Sequence, residues 1–164
     1  MNKYFLSAVA TLMIGLTAVP TANAQDGESA LIGSWTISID ESDFGPTPPP
    51  DSVLMDIQRA DDQLVMQREL HFSQMGAARL ITFDMPTDGG TYDATTDEGT
   101  QAVTVSWDGD ELVLVSEVEA NIGLIEVIDR YRVENDGQTL IQDRMMDIPT
   151  MGVMESTMVY LRTN

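Results

Sequence analysis

The chain of 164 residues has no cysteine, one histidine and one lysine. Without thiols it can form no disulfide, carries no lipid-modified N-terminus of the bacterial lipoprotein kind and offers no thiolate nucleophile. With His71 as its sole imidazole, a histidine-rich zinc site is excluded, and neither a P-loop nor a G-x-S-x-G elbow occurs. A lone histidine at the end of a strand most often serves as a surface or hydrogen-bonding group. Cations are scarce too: eight Lys and Arg stand against 27 Asp and Glu, a formal charge of −19. That balance excludes nucleic acid as a partner, since binding phosphates needs a basic surface. It also disfavours anionic lipid surfaces. Its simplest use is solubility. Acidic turns at Asp108 to Glu111 and Asp93 to Glu98 lack the full calcium-loop pattern, and no metal or cofactor is implied.

The N-terminus reads as a Sec signal peptide over residues 1–24. Lys3 supplies the positive start, Phe5 to Val19 an apolar run, Pro20 a break and Ala22-Asn23-Ala24 a small-x-small cleavage site. The run is shorter than the roughly 20 residues a membrane-spanning helix needs, so membrane insertion is not expected. Cleavage leaves residues 25–164 as one domain, with seven arginines against 27 carboxylates and a net charge of −20. The expected location is periplasmic or secreted.

From Leu31 onward the chain repeats one grammar: short alternating apolar and polar runs, each closed by a Gly-, Asp- or Pro-rich turn. No helical run lies between them. This predicts an all-β domain, a single antiparallel up-and-down barrel of about 8–10 strands, with a two-sheet sandwich as the alternative. Gln25 to Ala30 reads as a polar lead-in, and Trp35, Ile37 and Ile39 as the inward residues of a first strand. Asp40 to Asp51, with Gly45-Pro46 and three consecutive prolines, reads as a loop. Arg59 to Asp62 reads as a four-residue hairpin loop, pairing Ile57 with Leu64, Met55 with Met66 and Val53 with Arg68. Thr87 to Thr100 is the least regular stretch, with room for one short strand around Tyr92. Asp108-Gly109 is the strongest short hairpin signal.

Gly33-Ser34-Trp35 resembles the G-x-W signature of the lipocalin and calycin barrels. Together with Ser42 to Pro46, Ser106 to Asp110, Asp129-Arg130-Tyr131, Asp136 to Leu140, Asp143-Arg144 and Met151-Gly152, it resembles a family of exported bacterial lipocalin-like domains. The resemblance spans most of residues 31–162. It implies a barrel with a ligand-binding interior, without implying a reaction. Gly33 and Trp35 are its structural signature, and Arg162 is the candidate for the arginine that such barrels pack over the tryptophan. A second lipocalin motif and a C-terminal helix are missing.

The chemistry-bearing residues come from the hairpin across Glu134 to Gly137. Pairing Val133 with Leu140 places Asp129 opposite Arg144 and Arg130 opposite Asp143, two complementary pairs on opposite faces. The more apolar, inward face then carries Asp129, Tyr131, Gln142 and Arg144. Arg68 points inward from the other half by its Leu64, Met66, Leu70 period. Such a cluster can be a buried structural network, though burying an ion pair rarely adds net stability. It can equally be the polar floor of an apolar pocket, where an arginine fork suits a carboxylate or phenolate. The expected partner is a small apolar or amphipathic ligand, bound or carried without turnover. The alternatives are a cofactor-independent isomerase or lyase using Asp129 and Tyr131, and an envelope protein with a filled core. Nine methionines follow the signal segment; they can line a pocket or fill irregular core space.

Overall fold

The computed structural model describes residues 24–73, 76, 78–96 and 99–163; the leader reading over residues 1–23 lies outside them. A short helix, α1 (Ala24–Leu31), precedes ten strands among the described residues. These are β1 (Gly33–Asp43), β2 (Ser52–Ala60), β3 (Gln63–His71), β4 (Arg79–Pro86) and β5 (Gly90–Thr96). Then come β6 (Gly99–Asp108), β7 (Glu111–Ala120), β8 (Gly123–Glu134), β9 (Thr139–Ile148) and β10 (Gly152–Thr163). Every strand pairs antiparallel with its sequence neighbours and β10 returns to β1, so the sheet is an up-and-down barrel with no free edge. The sandwich alternative is set aside.

Alternation builds the core. Trp35, Met55, Ile57, Leu64, Met66, Met85, Leu112 and Leu140 all project inward and are buried at one end of the barrel. That end is closed by α1. The stretch expected as a polar lead-in is helical, although eight residues containing a glycine would not hold a helix in isolation. Tertiary contacts hold it. Leu31 is buried in the core, Glu28 pairs with Arg59, and Gly27 sits on the turn between β6 and β7. A Cβ at Gly27 would lie 2.4 Å from the Asp110 carbonyl oxygen, so no larger residue allows that approach.

Two further expectations are corrected. The hairpin of β2 and β3 turns in two residues, Asp61-Asp62, with Ala60 opposite Gln63 and Asp61 at φ 55°. Aspartate tolerates that left-handed conformation, which shortens the loop and moves the register by two. Ile57 therefore faces Met66, Met55 faces Arg68, and Val53 faces Leu70. An even shift leaves every inward residue inward. The Asp40 to Asp51 loop begins later than expected, because β1 continues to Asp43 through a register shift after Ser38. There Ser42 Oγ donates to the Ser38 carbonyl and accepts from Val159 N–H. The irregular stretch holds the whole of β5 and the start of β6. The β4–β5 seam is nonetheless the weakest in the ring, paired only at Thr82 and Thr95 among the described residues.

Candidate functional site

At the closed end Trp35 is buried and its Nε1 donates to the Leu31 carbonyl at 3.0 Å. Arg162 lies over the indole with its Cζ 4.1 Å from the ring centroid. Its nitrogens donate to the carbonyls of Ile32 and Ala30, each at 2.8 Å, and to that of Gly137. A cation on the last carbonyls of α1 also complements the helix dipole. Gly33, at φ +145°, leaves the room this needs: a Cβ there would be 2.3 Å from Arg162 Nη1. Gly33, Trp35 and Arg162 thus form one lock.

The opposite half is built differently. The β8–β9 register is the expected one, with Val133 opposite Leu140 and Asp129 opposite Arg144. Asp129 receives Arg144 through both oxygens, at 2.7 and 2.9 Å, and Gln142 Nε2 at 2.8 Å. Gln142 Oε1 accepts from the Tyr160 hydroxyl at 2.9 Å and from Arg68 Nη1 at 3.4 Å. Arg68 Nη1 also donates to the Tyr131 oxygen at 3.1 Å, and its guanidinium lies 5.8 Å from the Phe83 ring centroid. All five expected residues, Arg68, Asp129, Tyr131, Gln142 and Arg144, meet in this network. The outward pair differs from expectation. Arg130 stands opposite Asp143 but bonds Asp108 and Glu111, while Asp143 is taken by Arg132 and Thr157. A cross-strand position fixes backbones, and long arginine side chains reach diagonally to a second acceptor.

Burial acts on Asp129, Tyr131, Arg144 and Tyr160. It pushes the Asp129 carboxyl up, but the charge and hydrogen bonds of Arg144, with Arg68 and Gln142, outweigh it and hold the group below the usual carboxylate range. Tyr131 is raised by burial, against the opposing charge of Arg68, so its phenol stays protonated. Tyr160 is raised for the same reason. Of the two guanidiniums, Arg144 is matched by Asp129. Arg68 is 5% exposed and has no carboxylate partner among the described residues, and its buried Nε has no hydrogen-bond acceptor among them.

Two cavities flank this network, and both touch Arg68 and Arg144. One of about 210 Å³ lies under the proline-rich loop, walled by Phe44, Pro48, Pro50, Met146 and Met158. The other, of about 170 Å³, is walled by Ile81, Phe83, Leu114 and Val127 with Gln101 and Ser116. The interior is therefore packed in its closed half and hollow in its open half. A larger groove of about 470 Å³ lies on the outer face of β8, β9 and β10, where Arg130 and Asp143 are already engaged with other side chains.

Sequence reasoning missed Tyr160, although its period-two spacing from Met158 and Arg162 places it inward. It also missed the inward Tyr92, whose buried hydroxyl has no partner among the described residues. His71 lies exposed at the end of β3.

No family model matches the chain, and no curated protein sequence does. Among solved structures it is similar to a secretory abundant heat soluble protein from Ramazzottius varieornatus, at 14% identity and a TM-score of 0.57, covering 82% of this chain and 96% of that one. It is similar also to zebrafish ileal bile acid-binding protein complexed with cholic acid, at 14% identity, TM-score 0.54 and coverage of 82% and 99%. A Schistosoma mansoni fatty acid binding protein in complex with arachidonic acid aligns at 14% identity, TM-score 0.54, over 84% and 99%. At these identities the likeness is one of fold, and it bears out the lipocalin-like barrel.

Proposed function

We propose that residues 25–164 form an exported barrel that binds a small apolar or amphipathic molecule in its open half, without turning it over. The observation carrying this reading is the pair of cavities that share Arg68 and Arg144 as their polar floor, the one beneath the proline-rich loop with mostly apolar walls. Side chains fill the closed half, so the hollow is not a general looseness of the fold. Two of the similar barrels are described as binding bile acid and fatty acid, which suits the same use of the interior. Of the five network residues, Arg68 and Arg144 supply the polar contacts, with Asp129, Tyr131 and Gln142 acting through the arginines they hold. The reading as an isomerase or lyase is weaker. A carboxylate held below its usual range is a poorer base, and a phenol raised above its own is a poorer acid. Export rests on the leader at residues 1–24; no helix among the described residues is long and apolar enough to cross a membrane.

Titration with a neutral environment-sensitive dye, followed by native mass spectrometry, tests the reading. One dye per chain is expected, with loss of binding in a folded Arg144→Ala variant. If the wild-type protein takes up no apolar probe and Arg144→Ala merely unfolds it, the network is structural and the reading is wrong. Intact mass of periplasmic material should place the N-terminus at Gln25.

A further inference from the structure

The charge of the interior network does not close. Two guanidiniums, Arg68 and Arg144, face one carboxylate, and Asp129 gives both its oxygens to Arg144 and one also to Gln142. Arg68 is left with neutral contacts: the Tyr131 oxygen, the Gln142 oxygen and the Phe83 ring. In a chain with 27 carboxylates and eight basic residues, a buried guanidinium whose direct contacts are all neutral is notable. Burying an unpaired cation is costly, and the cost is offset when an anion arrives. The network's spare capacity is also of one kind. Arg68 Nε is a donor without an acceptor among the described residues, on a side chain that lines both cavities.

Resting on the binding reading above, we propose that the ligand is a compact monocarboxylate, its carboxylate held by Arg68 and its apolar body in the lobe beneath the proline-rich loop. The planar fork of arginine matches two carboxylate oxygens, and one guanidinium without a carboxylate in the hydrogen-bonded network suits a monoanion better than a phosphate dianion. The lobe walled by Phe44, Pro48, Pro50, Met146 and Met158 takes the apolar part, because the other lobe presents Arg79, Gln101, Ser116 and Asp129. Size follows from volume. A cavity of about 150 Å³ accommodates benzene, so a lobe of about 210 Å³ takes roughly eight non-hydrogen atoms beyond the carboxylate, a ring with a short acid tail rather than a long acyl chain.

Calorimetric titration of the protein with 4-phenylbutyrate, its primary amide and oleate separates the outcomes. The acid is expected to bind about tenfold or more tighter than the amide, which has the same shape and no charge. It is also expected to bind tighter than oleate. In Arg68→Met, acid and amide should come within about twofold of each other. Equal binding of acid and amide by the wild-type protein overturns the anion assignment while leaving the binding reading in place. Tighter binding of oleate overturns the size assignment in the same way. Binding of none of the three removes both readings. Should Arg68→Met fail to fold, the acid-to-amide ratio of the wild-type protein decides alone.

Discussion

Two arginines at opposite ends of one barrel show how the same side chain can be spent or spare. Arg162 lies on Trp35 and donates to three main-chain carbonyls, tying α1, the start of β1 and the turn after β8 together. Arg68, buried beside the Phe83 ring, donates from one nitrogen to two neutral oxygens and leaves Nε without an acceptor among the described residues. The surroundings follow the same division. Around Arg162 the interior is filled, and around Arg68 it is hollow. A guanidinium that satisfies backbone carbonyls holds a fold together. One with spare donors beside a cavity is available to something else.

The largest effect is expected where the lock is broken at its centre. Trp35→Ala removes a fully buried indole and the surface on which Arg162 rests, and should cost about 3–5 kcal/mol in urea unfolding. A loss below about 1 kcal/mol would mean that the closed end is not the stabilising half.

Next comes the ion pair of the open half, tested through Asp129→Asn. This leaves Arg144 without its counter-charge; because Arg144 is a quarter exposed, the cost should fall somewhat below that of a fully buried pair, at about 2–3 kcal/mol near neutral pH. The pH dependence has a definite sign. The Asp129 carboxyl is depressed in the folded state, so its contribution is fully present above the ordinary carboxylate value of 3.8 and is lost as pH falls through the lower folded value. The difference between wild type and Asp129→Asn should therefore be constant from neutrality down to about pH 4 and shrink below it. A difference that grows on acidification would contradict the depressed carboxyl. Asp143 is depressed as well, despite partial burial, by Thr157 and Arg132, and steepens the acid limb in both proteins.

The smallest and most direct comparison sets Arg162→Met against Arg68→Met. The first strands three carbonyls and should cost about 2 kcal/mol. The second replaces an unmatched buried cation by an apolar chain of similar length and should change stability by less than about 1 kcal/mol in either direction. Equal losses would erase the distinction between the two ends.

Much of this was legible beforehand. Period-two alternation named the inward residues of β2, β3, β8 and β9. Val133 and Leu140, flanking an Asn-Asp-Gly turn, set a register that puts Asp129 on Arg144. Where the sequence signal is weaker, the structure departs from it. A two-residue aspartate turn looked like four residues, which moved the β2–β3 pairing by two without moving a side chain off its face. The helix α1 left no trace in propensity, because Gly27 and a length of eight residues argue against it and only contact with the Asp110 turn, Arg59 and the core makes it stable. The outward Arg130 was paired with its cross-strand neighbour, and long flexible side chains choose partners that register alone does not dictate.

Local rules thus settled by themselves that this chain is all-β, that its strands run antiparallel through short turns, and which face of each strand is apolar. Those are properties of neighbours along the chain and across single hairpins, where backbone geometry leaves few options. Ring closure decided the rest. It brings Arg162 to Ile32 across 130 positions and Arg68 to Tyr131 across 63. Which of seven arginines is locked, which is paired and which is left with donors to spare depends on the faces that meet inside the closed barrel, and those distances are written nowhere in the local pattern.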